Sequence, residues 1–454
     1  MVNTLGTNAD RNNVSGIGNN IGADSSQNIV GGGNNSLGNN NSSNIVGGGS
    51  NTLGDDNDHN IIGGISAQVG ADNISNFVSG VGQAIGDDNS SNIITGTFST
   101  LGNDNRSNSI NGSNNNIGNE NENNIISGFL NGVGNSNNSN SVNGRFNTLG
   151  DDNFSNSVNG TRADLGNDNS NNVISGSNNN IGDQNESNII SGFLNDIDNE
   201  NENNIISGFL NGVGNSNNSN SVNGRFNTLG DDNFSNSVNG TSVDLGNSNS
   251  GNNVSGSNLN IFDNNSNNVI SGSSTDIGFG NRANSFTGNF NNIGDSNEAN
   301  DISGAANTIG NFNSGNDISG ENNRLGDSNR SNDVSGNSNT IGDFNAANSV
   351  NGLINTFGDD NLSNSVNGIS VNLGNSNSGN IVTGNSNIIG DNNNNNAISG
   401  SAITVGTVNS SNILGGSNHN IGNFNSGNDI SGENNRLGDS NRSCLLYTSP
   451  SPRD

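Results

Sequence analysis

Forty-one carboxylates, eleven guanidinium groups, two imidazoles and one thiol are the residues of this 454-residue chain that could do acid–base, metal or nucleophilic chemistry. Their spacing assembles little of it. His59 and His419 are isolated from each other, and a Ser-His-Asp set could be composed in many ways with nothing to select one. The chain is therefore read as a non-enzyme, with no catalytic residue, metal ligand or cofactor assigned. The carboxylates are better organised: 29 of the 41 recur in turns such as Gly54-Asp55-Asp56-Asn57 and Gly150-Asp151-Asp152-Asn153. Gly-rich corners with oxygen ligands are what calcium-binding β-rolls use. Only five turns carry the Asp-Asp pair, however, and the Gly-Gly-x-Gly-x-Asp nonapeptide is absent. A solvated, self-repelling edge that opposes side-by-side aggregation is the preferred reading.

The elements that position these residues follow from one pattern. Asn-x-aliphatic-x-Gly, as in Asn124-Ile125-Ile126-Ser127-Gly128, returns every sixteen residues, and cutting at that interval from Asn3 to Asn434 gives 27 units without insertion or deletion. Numbering each unit from its first residue defines sixteen columns. Column 10 is always Asn and column 14 always Gly; column 12 is aliphatic except at Phe286, and column 3 except at Phe357. A strict period of this kind marks a solenoid in which one repeat makes one coil. The fold class expected is all-β, a single elongated β-solenoid of about 27 coils occupying residues 1–443. Each coil has two strand-like pieces, near columns 1–3 and 10–13, and Gly, Asn and Asp supply the positive-φ corners between them.

Alternation along a strand then decides what faces inward. With columns 3 and 12 pointing in, columns 1 and 10 do so too, as in Asn179, Ile181, Asn188 and Ile190. Stacked Asn amides can bond from coil to coil, which satisfies a buried polar group. The nearly constant Asn of column 7 reads as a corner-capping turn former. Phe129-Leu130, Phe193-Leu194 and Phe209-Leu210, in columns 15 and 16, are expected to plug the corner of the core rather than to form an exposed strip. Asn105-Arg-Ser107 and Asn153-Phe-Ser155 are N-glycosylation sequons if the protein is secreted by a eukaryote.

Columns 2, 11 and 13 face outward. Column 13 holds only Ser, Asn, Gly or Thr, without a charge in any unit. Its members Ser127, Asn143, Asn159, Ser175, Ser191, Ser207, Asn223, Asn239, Ser255 and Ser271 form the candidate functional face. Short polar groups at fixed spacing could order water; equally, small residues suit a tight β-coil. The doubled half-repeat, as in Asn179-Asn-Ile-Gly and Asn188-Ile-Ile-Ser-Gly, resembles the ice-recrystallisation-inhibition (antifreeze) proteins of cold-tolerant grasses, built from Asn-x-Val-x-Gly and Asn-x-Val-x-x-Gly units. That resemblance implies a β-roll with internal Asn and aliphatic ladders that binds ice through a flat outward face, here columns 11 and 13. The coil is longer than the family's, and column 11 mixes Ile, Ser and Asp, with Phe77, Asp301, Asp317, Asp333 and Asp429 among its members. Units 7–18 lack charge in both columns and make the best patch. The alternative is a structural module of an extracellular filament, stalk or adhesin shaft that self-associates.

Composition sets the remaining bounds. The net charge is -30 and every basic residue is Arg, so nucleic acid is a poor partner and anionic membranes repel the chain. No apolar run approaches the ~20 residues that span a bilayer. The stretch Cys444 to Asp454 breaks the repeat, contains the only Cys and Tyr and both Pro residues, and reads as a translated sequencing adapter rather than native sequence. The repeat begins by residue 3 without a capping segment, which is the expectation for a piece of a longer protein. An extracellular or cell-surface location is inferred.

Overall fold

The computed structural model describes residues 2–447 and divides the chain into two compact units, Met1–Phe226 and Asn227–Asp454. The division falls on a coil boundary. Each unit is a parallel β-solenoid, and the described residues contain no helix.

In the first unit a typical coil has a two-residue strand in columns 2–3, such as Asn116–Ile117, and a five-residue strand in columns 11–15, such as Ile125–Phe129. Both pair in parallel with the residue sixteen further on: Asn116 with Gly132, Ile126 with Val142. A third ladder of single bridges runs through column 8, from Arg106 to Glu122 to Asn138. The coil is thus three-sided, where the sequence suggested two strand pieces. The sequence does not mark the third side because column 8 mixes Ser, Glu, Phe and Arg, and its continuous ladder is a backbone one. Near the start of the chain the long strand shrinks to Ile29–Val30 and Ile45–Val46. There columns 13–15 are Gly-Gly-Gly, which weakens a strand. The second unit repeats the plan. Where Val243 and Leu259 replace Asn in column 1, the corner itself is drawn into nine-residue strands, Ser237–Leu245 and Asn253–Ile261.

Left-handed backbone makes the corners. Columns 6, 9 and 16 carry it in coil after coil, as at Glu120 (φ 57°), Asn123 (φ 57°) and Leu130 (φ 55°). Column 14 is the strictest position. Gly128 has φ 118°, and a Cβ on it would overlap the carbonyl oxygen of Gly144 in the next coil. No other residue meets both conditions.

Columns 3 and 12 form the apolar core, with Ile126, Ile174, Ile190 and Ile206 fully buried, and Phe286 and Phe357 fit the same rows. Beside them run the Asn ladders. Asn124 Nδ2 donates to Asn108 Oδ1 (3.1 Å) and to the Asn137 carbonyl (2.7 Å), while its Oδ1 accepts the Asn140 backbone N–H (2.8 Å). Column 1 behaves alike: Asn147 N–H donates to Asn131 Oδ1 at 3.1 Å. Column 7 goes beyond the sequence reading. Asn57, Asn105 and Asn153 are buried; each caps its own corner, as Asn105 Nδ2 does by donating to the Asn103 carbonyl (3.0 Å), and they also form a third ladder in which Asn121 N–H donates to Asn105 Oδ1 (2.9 Å) and Asn105 Nδ2 to the Gly118 carbonyl (2.9 Å). In the second unit Asn249, Asn313, Asn329, Asn377 and Asn425 leave Nδ2 without a partner, so that row is less fully satisfied there.

The non-repeating tail continues this register. Leu445–Tyr447 pairs with Asp429–Ser431, and Cys444 N–H donates to Asn428 Oδ1. Backbone pairing accepts a sequence that carries none of the repeat. Residues 448–454 of that tail lie outside the described residues.

Candidate functional site

The candidate face is built by strand register. Within the first unit Ser127, Asn143, Asn159, Ser175, Ser191, Ser207 and Asn223 are successive Cα partners, so they stand in one row along the solenoid. In the second unit Asn239, Ser255 and Ser271 do the same. None of the ten is buried: the four Asn are exposed and the six Ser half-exposed. Rows of a parallel sheet lie about 4.8 Å apart. Side-chain bonds fix parts of the row: Ser127 Oγ donates to Asn143 Oδ1 (2.8 Å) and Ser207 Oγ to Asn223 Oδ1 (3.0 Å). Column 11 lies parallel to it and is exposed at Ile125, Val173, Ile189 and Ile205. Ser141, Ser157 and Ser221 share that column, so the face sets a mixed row of hydrocarbon and Ser beside a row of short hydroxyls and amides.

Charge breaks the same face in the second unit. Asp301, Asp317 and Asp333 are successive partners in column 11. The Asp317 carboxyl is raised above its ordinary range, by partial desolvation first and then by repulsion from Asp333 and Asp301. Columns 2–4 of the first unit make a shallow trough of about 630 Å3 lined by Thr52, Gln68, Ala84, Thr100 and Asn116. No ionisable side chain is among the residues that line it.

The acidic edge does more than repel. In column 5 the side chain accepts the backbone N–H of the coil before it: Asn135 N–H donates to Asp151 Oδ1 (2.6 Å) and Asn167 N–H to Asp183 Oδ1 (2.6 Å). This ladder runs opposite in sense to those of columns 1, 7 and 10, and only an Asx side chain reaches it. Column 6 carries exposed carboxylates. The Asp88 carboxyl is raised by desolvation and by repulsion from Asp104, Asp72 and Asp87. Among the described residues no group of three or more His, Cys, Asp or Glu is arranged to hold a metal ion.

Three further expectations meet the structure. His59 is exposed and its Nδ1 lies 2.8 Å from Asp58 Oδ1, whereas His419 takes an Asn place in column 1, with Nε2 2.8 Å from the Gly415 carbonyl. The two histidines share no site. The sequon asparagines Asn105 and Asn153 belong to the buried seventh column, so a glycan on either is incompatible with the closed coil. Phe129 and Phe193 do not plug the core: they are 37% and 39% exposed, and Phe209 stacks on Phe193 outside it. Column 15 shares the outward parity of columns 11 and 13, a signal that the strand alternation already contained.

No family model matches the chain, and no curated protein matches it. Among solved structures it is similar to the crystal structure of UDP-N-acetylglucosamine O-acyltransferase (LpxA) from Moraxella catarrhalis RH4, at 14% identity and a TM-score of 0.10, covering 49% of this chain and 66% of that one. A likeness at that level carries no argument about function.

Proposed function

We propose that this protein binds ice and inhibits its recrystallisation, acting through columns 11 and 13 rather than by catalysis. The observation that supports this most is the row from Ser127 to Asn223, in register, outward-facing and free of charge across seven coils. Short polar groups at a fixed interval, beside a column that mixes hydrocarbon and Ser, can hold a layer of water in a repeating arrangement, with the hydroxyls and amides as anchors. The ordered backbone holds that array in place before binding, so little ordering is left to be done at the ice surface. The resemblance to the grass antifreeze repeats points the same way. An extracellular site of action fits this role, reached by a route that leaves the buried sequons unmodified.

The test is an ice-recrystallisation and ice-shaping assay on the chain and on Ser175→Arg/Ser191→Arg/Ser207→Arg. The intact chain should act at low concentration and the triple variant should not, with circular dichroism unchanged. An inactive but folded wild-type chain would sink the proposal. A second reading, a structural module of an extracellular filament or stalk, is favoured by a different feature, the exposed aromatic strip.

A further inference from the structure

The corner at columns 15 and 16 of the first unit carries side chains that the coil itself does not require. Column 16 is left-handed in every coil there, which suits Asn, Ser and Gly, as at Asn34, Ser50 and Asn114. Yet Leu130, Phe146, Leu194, Leu210 and Phe226 adopt it with φ of 55°, 59°, 58°, 53° and 56°. Bulky side chains are sterically disfavoured in that region, and strain of this kind concentrates where it serves a function. The same residues remain in solvent: Phe226 is 49% exposed and Leu130 43%. Their rings touch one another rather than the core. Phe193 stacks on Phe209 at 5.5 Å, Phe209 meets Phe226 edge-on at 5.5 Å, and Phe129 meets Phe146 edge-on at 5.7 Å.

Charge distribution indicates what covers this strip. Columns 15 and 16 contain no carboxylate anywhere in the first unit but hold Arg145, Arg162 and Arg225, three of its five basic residues. The Arg162 guanidinium sits 5.7 Å from the Phe146 ring. Column 6 of the same unit presents the complement: Asp56, Asp72, Asp88, Asp104 and Glu120 stand exposed in consecutive coils. Crowding there already raises the Asp88 carboxyl through desolvation and its acidic neighbours. Both strips advance by one coil per repeat, so they share one axial interval.

We propose that the Phe–Arg corner of the first unit docks a second copy of this chain, engaging that copy's column-6 acidic edge. Guanidinium groups pair with the carboxylates, and the rings pack on the turn backbone between them. Aromatic and Arg side chains are the residues that dominate interface energies. Because the two strips are different surfaces, the contact is head-to-tail and the pair keeps one free strip of each kind, which allows open-ended growth. This contact gives the structural reading its surface, and it stands whether or not the molecule binds ice.

Sedimentation velocity on the full chain, over protein concentration and at low and high salt, tests it without ice. The wild-type chain should associate at low salt. Arg145→Ser/Arg162→Asn/Arg225→Ser should weaken association by about tenfold or more, and Asp72→Asn/Asp88→Asn/Asp104→Asn should do the same. Each introduced residue already occurs in its column, and circular dichroism confirms that the coils persist. Mixing the two variants should restore one-to-one pairs, since one keeps the acidic edge and the other the Phe–Arg corner. A wild-type chain that is monomeric throughout, acidic-edge variants that associate normally, or a mixture that fails to pair would each overturn the proposal.

Discussion

Asn124 shows how a single residue carries this fold. Its amide donates twice and its oxygen accepts the Asn140 N–H, all inside the coil. Asn124→Leu leaves that N–H without a partner in the interior and takes one of two donors from the Asn137 carbonyl, which keeps the Glu122 N–H. An unpaired buried group of this kind costs about 1–3 kcal/mol, offset in part by the added apolar burial, so a loss of about 1–3 kcal/mol is expected. Hydrogen exchange at the Asn140 amide should rise with it, while Ile126→Val should cost only about 0.5–1.5 kcal/mol. A normal Asn140 exchange rate in the Leu variant would show that the ladder is not what protects it. Asp317 makes the opposite case. Its folded pKa is raised, so the folded chain holds the proton more tightly than the unfolded one between the ordinary carboxyl value of 3.8 and the raised value. Its contribution to stability is therefore fully present below 3.8 and is lost as pH rises through the folded pKa. Asp317→Asn should stabilise the second unit at pH 7 by a few tenths of a kcal/mol, the carboxylate being exposed and screened. Thermal melts from pH 3 to 7 should show the variant's advantage vanish in acid. An advantage that persists at pH 3 would refute the assignment.

At the scale of the element, the unit of structure is the coil, and neighbours meet only neighbours. Every strand of columns 11–15 pairs at the same offset, so removing one whole coil brings equivalent residues together. Deleting residues 131–146 should leave the circular dichroism spectrum intact and lower the melting temperature modestly. Deleting residues 131–145 instead shifts register by one, which turns every inward row outward on one side of the cut. That chain should lose β signal and bind a hydrophobic dye. Equal behaviour of the two deletions would contradict a coil-by-coil solenoid. Column 7 shows why elements matter for reading a sequence: a nearly constant Asn in a turn-rich stretch looks like a cap, and only the third side of the coil turns it inward.

For the whole molecule, buried sequons tie folding to the route of synthesis. Asn41, Asn73, Asn89, Asn105, Asn137 and Asn153 each begin an Asn-x-Ser sequon and each is at most 1% exposed. A host that attaches glycans during synthesis should yield chain that cannot close these coils, recovered as aggregate with a mass shift removed by glycosidase. The same chain made without glycosylation, or with the sequon Ser changed to Ala, should fold. Ala already occupies that column at Ala283, Ala299 and Ala347, so the substitution suits the corner. Folded, fully glycosylated protein would refute the inward placement of column 7.

The period, the all-β class and the inward rows at columns 1, 3, 10 and 12 were legible in the sequence, because a coil that stacks on copies of itself must repeat every constraint at the same interval. Column 14 was legible as invariant Gly, though its cause, the carbonyl of the next coil, belongs to the stacked structure. Tertiary structure alone decided the residues whose type does not reveal their direction. Asn at column 7 is as compatible with a turn as with a core, Asp at column 5 as compatible with a solvated edge as with a backbone acceptor, and Phe at columns 15 and 16 as compatible with a plug as with an exposed strip. Polar amides and carboxylates carry little hydropathy signal when buried with full hydrogen bonding, so composition is silent about them. Only the closing of the third side and the left-handed corners determine which way they point.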